Sequence, residues 1–296
     1  MPNRRAPGHL SPMVRRVSRR ARPGAAGPIL LAIDIGNTNI VVGLFKGKTL
    51  ALEWRLATHG GRTADEYGLI VRELVRDATT EAPSEAIISS VVPNLTPAFV
   101  TLLGRYFGLK PAVVDHTSPL GLAIGYAHPE EIGADRLVNA AAAYNAFGGP
   151  LIIVDFGTAT TFCVVSADGT YLGGVIAPGA AISAEALTAR AAKLSKVEWV
   201  RPPTVIGRDT TSSMQTGMIL GHASMVDGII HHIQQEIGTR CRVLATGGLT
   251  SLIAPASQYI ETVRPHLTLE GLALIADRLR TGWRVSHPGT KRRPRA

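Results

Sequence analysis

The 296-residue chain has only two cysteines, Cys163 and Cys241. They are too few for a disulfide framework and have no zinc-site spacing, which fits a reducing compartment. Long uninterrupted apolar runs are also lacking. Leu137 to Val154 carries no charge, but Asn139, Asn145 and Gly148-Gly149-Pro150 break it, so no membrane span is expected. Two nucleotide-binding fingerprints are missing: there is no G-x-x-x-x-G-K-[ST], and no G-x-G-x-x-G after a strand. Acids are missing from both ends. Residues 1–33 hold seven arginines and residues 281–296 hold five basic residues, with no acid in either stretch. Between them, 19 basic residues face 22 acidic ones. The net charge of +9 therefore belongs to the ends, and nucleic acid is not expected as a partner of the folded part. The first segment has no apolar h-region, so it does not read as a secretory signal, and it forms no clear amphipathic helix. The expectation is a disordered basic tail over 1–28, or an over-extended start, and a second disordered tail over 282–296.

What is present is a globular composition with 45% hydrophobic residues, enough for one large domain or two ordinary ones. Strand and helix patterns alternate from residue 29 to 280. Leu30 to Phe45, LLAIDIGNTNIVVGLF, reads as a strand, a tight Asp-x-Gly-Asn turn and a second strand. Thr63 to Asp77 has helical spacing of apolar residues, Glu85 to Val92 reads as a strand, Pro97 to Phe107 as a helix and Pro111 to Val114 as a strand. A helix after Gly133 runs to about Phe147, where Gly148-Gly149-Pro150 ends it and marks the expected domain boundary. The opening pattern then recurs. Leu151 to Val165 is again apolar strand, Asp-x-Gly, small hydroxyl residues and apolar strand, with its aspartate 121 residues after the first. Two such motifs at the starts of two similar halves point to an internal duplication of an α/β unit, over 29–148 and 149–281. Val243 to Leu249 reads as a strand running into a Gly-Gly turn with a helix after it. Thr268 to Arg280 closes the fold as an amphipathic helix.

These residues suit a phosphate site. Phosphate oxygens need backbone N–H groups at close range, and glycine permits the approach. Hydroxyl and amide side chains add donors. A carboxylate suits the magnesium that accompanies a nucleotide, often through water. Asp34, Gly36, Asn37 and Thr38 supply all three, and Asp155, Gly157, Thr158 and Thr160 supply them again. Gly247-Gly248 is placed to admit an adenosine face. Taken singly, Asp-x-Gly-Asn is ordinary turn chemistry; the repetition carries the argument.

Two further stretches stand out. In Gly125 to Leu137, Gly133 puts Asp135 and Arg136 in the first turn of a helix. There the amides and dipole are expected to keep Asp135 ionised, able to accept a hydroxyl proton. Arg136 can fork onto a carboxylate or phosphate. On spacing alone, an acidic first turn with a surface ion pair explains the same residues. In Ile206 to Ser213, before a long helical segment ending near Gly238, Thr210 or Thr211 reads as the capping hydroxyl. His231-His232 lies late on that segment, and adjacent histidines diverge by about 100° on a helix, so no shared metal is expected there.

Together Asp34-Ile35-Gly36-Asn37-Thr38, Gly133-Ala134-Asp135-Arg136, Asp155-Phe156-Gly157-Thr158-Ala159-Thr160, Gly173-Gly174-x-Ile176-x-Pro178-Gly179 and Ile206-Gly207-Arg208-Asp209-Thr210 resemble, in order, the signature set of the type III pantothenate kinases. The resemblance covers about residues 29–280. It implies an α/β fold of two duplicated actin-like (RNase H-like) ATPase domains, each a mixed sheet with an N-terminal hairpin and flanking helices. It implies phosphorylation of pantothenate by ATP, the first step of coenzyme A synthesis, in a cytoplasmic homodimer whose substrate pocket lies close to the partner subunit. It implies that Asp34, Ile35, Gly36, Asn37, Thr38, Asn39, Ile40 and Val41 hold the ATP phosphates, with Asp34 reaching Mg2+ through water, and that Thr158 also touches ATP. Tyr126, Gly133, Ala134, Asp135, Arg136 and Thr210 would hold pantothenate, with Asp135 the proton acceptor. Asp155 would hold a monovalent cation, K+ or NH4+. Ser195 stands where the family pattern has proline and His128 where it often has asparagine. The rival reading is a nucleotide-binding accessory factor for transcription on the same fold, against which the intact Asp135-Arg136 pair argues.

Overall fold

The computed structural model of the chain describes residues 27–283. The two expected basic tails lie, apart from residues 27–28 and 282–283, outside the described residues. In chain order the elements are β1 (Ile29–Ile35), β2 (Asn39–Lys46), β3 (Thr49–Ala57), α1 (Ala64–Ala78), β4 (Glu85–Ser90), α2 (Thr96–Phe107), β5 (Ala112–Val113), β6 (Ala123–Ile124) and α3 (Ala134–Phe147). They continue as β7 (Leu151–Phe156), β8 (Ala159–Val165), β9 (Thr170–Pro178), α4 (Ala180–Arg190), α5 (Thr210–Thr216), α6 (His222–Ile237), β10 (Arg242–Thr246), α7 (Thr250–Ile253), β11 (Thr262–Val263) and α8 (Leu267–Thr281).

Among the described residues the strands form two sheets, ordered β3-β2-β1-β4-β5 and β11-β10-β7-β8-β9-β6. Within each, an antiparallel meander (β1-β2-β3, β7-β8-β9) is extended by parallel strands (β4-β5, β10-β11) beside its first strand. The two orders are the same once β6 is set aside, so the duplication read from the paired Asp-x-Gly motifs is present in the topology. Two elements cross between the halves. β6 joins the second sheet at β9, although it lies in the first half of the chain. α8, from the second half, packs on β1 and β4 of the first sheet.

Strand period explains the layers. Side chains two apart on a strand share a face. Ile29, Leu31, Ile33 and Ile35 pack with α1 and α2 on the outer side of the first sheet. Leu30 and Ala32 pack inward, and so do Leu151 and Ile153 of the second sheet; α3 and α8 fill the layer between them. Ile152, Val154 and Phe156 face outward against residues of α6 and α7. Both strand sequences are apolar on both faces because both faces are covered.

Helix ends follow local chemistry. Thr63 caps α1 and its N–H donates to Glu66 at 2.7 Å, a capping box. At α5 the sequence expectation is corrected. The cap is Asp209, whose carboxylate accepts from the Ser212 N–H at 2.8 Å, and Thr210 is already the first helical residue. A carboxylate one position earlier serves the orphan amides as well as a hydroxyl does. The long segment to Gly238 is interrupted by a π-turn over Gly217–Gly221. The helix after Gly247-Gly248 is only four residues long.

α3 and α8 meet closely at Gly271, where an added Cβ would stand 2.5 Å from the Val138 carbonyl oxygen. Backbone cannot yield as a flexible side chain does. Gly271→Ala should therefore destabilise the chain by about 1–3 kcal/mol despite alanine's better helix propensity. Urea unfolding checks this, and an unchanged or raised midpoint would contradict it.

Candidate active site

Asp34 shares the inward parity of Leu30 and Ala32, and Asp155 that of Leu151 and Ile153. Each is the next inward position, at the strand end where the hairpin turn begins. Asp135 comes from the second position of α3, the helix held between the two sheets. Three carboxyls, two from equivalent strands and one from the central helix, thus interact in one cleft. Loss of water pushes the Asp34 carboxyl up to about 7; Asp135 and Asp155 add to the rise, while Ser89 and Arg55 oppose it. Burial and Asp135 likewise push Asp155 up to about 7, against the hydrogen bond from Asn139 and the charge of Arg55. The Asp135 carboxyl also rises. Burial outweighs the Arg136 N–H, which donates to its Oδ1 at 2.7 Å, and the Arg136 charge. The helix start is expected to favour the ionised form of Asp135; the amides do act in that direction, but the loss of water is the larger effect and the net shift is upward.

The two hairpin turns face each other. Thr38 Oγ1 and Thr158 Oγ1 are 2.8 Å apart, 120 residues distant in sequence. Gly36 N–H donates to Asn39 O and Gly157 N–H to Ala159 O, closing both turns. Thr58, just past β3, braces the first turn by donating from its hydroxyl to Gly36 O at 2.7 Å and from its N–H to Thr38 O at 3.0 Å. The third glycine turn abuts the second aspartate. Gly247 has φ +96°, and a Cβ there would lie 2.5 Å from Asp155 Oδ1, so glycine is required twice over. Thr160 does not join this cleft. It pairs with Phe156 on the outward face and its buried hydroxyl meets His222 Nε2 at 2.8 Å, so its expected place among the phosphate donors is corrected by strand parity.

Beside the carboxyls, Arg136 is buried over the Tyr171 ring with its Nε 3.5 Å from Cys163 Sγ. Among the described residues no carboxylate lies in ion-pair contact with it. Tyr126 stands edge-on to Tyr171, and Gly173 leaves room for its ring. Gly133 lets the chain turn into α3, and a Cβ on it would meet Asp135 Oδ1 at 2.6 Å. Thr210 stands exposed and makes no hydrogen bond to the other candidate residues.

Sequence reading missed several members of this site. Asn139 lies one helical turn after Asp135 and donates to Asp155 Oδ2 at 3.1 Å, while the Thr268 hydroxyl of α8 donates to Asn139 Oδ1 at 2.8 Å. The i, i+4 spacing was the available signal. Ser89 is opposite Asp34 in the parallel β1/β4 pair, and Arg55 lies on β3, a strand whose mixed polar pattern gave no clear period.

Hard oxygen donors crowded together away from water suit cations, because burial and neighbouring carboxyls disfavour their uncompensated charge. Among the described residues no three His, Cys, Asp or Glu side chains could hold one metal ion by themselves. Water and phosphate oxygens would have to complete any magnesium shell.

Comparison with known proteins bears on this geometry. A family model described as type III pantothenate kinase matches residues 30–232. A type III pantothenate kinase of Roseiflexus sp. is 51% identical over 250 residues, covering 83% of this chain and 98% of its own. Those of Moorella thermoacetica and Geobacter sulfurreducens are 48% and 49% identical, covering 84% and 85% of this chain and 99% and 100% of their own. Among solved structures, a conserved Baf family protein of Campylobacter jejuni superposes with TM-score 0.54 at 17% identity, covering 85% of this chain and 99% of that one. An ethanolamine utilization protein, EutJ, of Carboxydothermus hydrogenoformans gives 0.51 at 16%, covering 85% and 91%. The architecture, an α/β fold of two mixed sheets with matching strand order, is shared with these structures and agrees with the expected duplicated actin-like fold.

The raised carboxyls make a checkable demand. Asp34 and Asp155 hold their protons more tightly folded than unfolded, so the stability tied to them is fully present below about pH 4 and lost as pH rises through about 7. Without metal or nucleotide, Asp155→Asn should melt close to the parent at pH 5, where Asp155 is protonated, and above it at pH 8, where the parent carries the crowded charge. Calorimetry at the two pH values tests this; a variant less stable than the parent at pH 8 would rule it out.

Proposed function

The chain belongs to the type III pantothenate kinase family and catalyses ATP-dependent phosphorylation of pantothenate, the first step of coenzyme A biosynthesis; from that premise we propose which residues perform each part of the transfer. The observation that carries the assignment is the meeting of Asp34, Asp155 and Asp135 in one cleft, beside a buried arginine without a carboxylate in contact.

Asp34 and the turn through Val41 hold the ATP phosphates, with backbone N–H groups and the Asn37, Thr38 and Asn39 side chains as donors. Thr158 meets them from the other half, supported by the 2.8 Å approach of its hydroxyl to Thr38. Magnesium, when bound with ATP, supplies positive charge to the phosphates, and Asp34 holds it through water. Asp155, oriented by Asn139, holds a monovalent cation, K+ or NH4+. Arg136 takes the pantothenate carboxylate, because a buried guanidinium beside a thiol and a phenol has charge to share. Tyr126, Gly133, Ala134 and Thr210 complete the pocket. In the transfer, the pantothenate hydroxyl oxygen bonds to the γ-phosphorus, the bond to the β,γ-bridging oxygen breaks, and ADP leaves. The hydroxyl proton passes to Asp135, whose carboxyl burial makes a stronger base than an exposed aspartate.

The reading extends to a cytoplasmic homodimer of two units, 29–148 and 149–281. Among the described residues no helix is long and apolar enough to cross a membrane. Leu172 and Ile176 on β9, Ile182 and Leu187 on α4 and Val205 and Ile206 in the following loop are exposed, Ile206 at 80%. β9 also carries Gly173 against Tyr126, so a partner on this face would border the pocket.

Asp135→Asn keeps the shape and removes the acceptor. Its kcat should fall by about 10²–10⁴, with ATP binding nearly unchanged. A pantothenate-dependent ADP-release assay reads both; turnover within a few-fold of the parent would reduce Asp135 to a helix-start residue. Leu187→Glu should shift the chain toward monomer in sedimentation velocity, and a parent that already sediments as a monomer would remove the dimer from this reading.

A further inference from the structure

The first sheet carries a row of paired residues, Ser89–Asp34–Val41–Arg55, across β4, β1, β2 and β3. Residues directly opposite on neighbouring strands share a face, so Arg55 points to the same side as Asp34, toward the cleft. Its side chain is 48% exposed and its Nη2 lies 3.7 Å from Glu53, two residues earlier on the same face. Glu53 is fixed in turn by His266 Nδ1 at 2.5 Å, at the start of α8. From this anchor the guanidinium crosses the cleft, and a Cβ on Gly248 would stand 3.8 Å from its Nη1. Arg55 of the first half thus reaches the glycine turn of the second. Its charge is felt by Asp34 and by Asp155.

A polyphosphate entering this space meets three carboxylates, while the two hairpin turns offer it neutral amides and hydroxyls. Fixed positive charge from the protein is needed there, and a guanidinium presents forked donors that match phosphate oxygens. We propose that Arg55 is a nucleotide-binding residue, whose guanidinium, steadied by Glu53 beside the Gly247-Gly248 turn, forks onto phosphate oxygens of ATP and ties the two halves of the cleft together through the nucleotide. The proposal rests on the cleft being the ATP site.

The test is MgADP binding to the full chain by titration calorimetry. Arg55→Gln should weaken MgADP by about 10- to 100-fold, with a smaller dependence on salt and a pantothenate KM within a few-fold of the parent. Arg55→Lys, which keeps the charge but not the fork, should fall between the two. An Arg55→Gln chain that binds MgADP within two-fold of the parent overturns the proposal. Arg55 stands on an edge strand with much of its side chain in water, so the variant should fold. If it does not, Arg55→Lys decides: a three-fold or greater loss of affinity supports the fork, and a smaller one overturns it. Asp34→Asn separates the two layers of inference. If it weakens MgADP while Arg55→Gln does not, only the role of Arg55 fails. If neither variant changes MgADP affinity, the nucleotide binds elsewhere and the reading of the cleft fails with it.

Discussion

A strand covered on both faces has nowhere to put a charge except at its end, and the two-residue period then decides which way that charge points. Asp34 and Asp155 both fall on the inward parity of their strands, so both are aimed into the layer that α3 and α8 fill. The start of α3 adds a third carboxyl to the same space. Such crowding is unfavourable in the empty protein. It persists because apolar packing below the strand ends holds the backbone in place, and positive charge brought among the carboxyls would relieve the cost.

The glycines read differently once this is seen. Gly247 is pressed against Asp155 Oδ1, and Gly133 against Asp135 Oδ1. Each leaves out a Cβ where a buried carboxyl sits. The Gly-Gly turn after β10 and the glycine before α3 are thus clearances that let a main chain pass beside an acid.

The duplication, the hairpins and their two aspartates were legible in the sequence because each depends on a contiguous run: apolar strand, Asp-x-Gly, strand. The helix from Gly133 and the closing helix were legible for the same reason. What was missed depends on pairing between distant segments. Asn139 looked like an interruption in an apolar run, and only its meeting with Asp155 gives it a task. β3 mixes Glu53, Trp54 and Arg55, and its faces become clear only from its register with β2. Thr160 was misplaced because a motif gives the order of residues and not their parity. Asp209 displaced Thr210 as the cap because several polar residues in a row leave more than one start for a helix.

β6 and α8 give the duplication an asymmetry. Each half of the chain lends one element to the other: a short strand that borders the second sheet, and a helix that covers β1 and β4 of the first. The inner face of the first sheet is therefore covered by α3 from its own half and by α8 from the other. The repeat looks like two modules in series, yet neither sheet is completed by its own half of the chain alone.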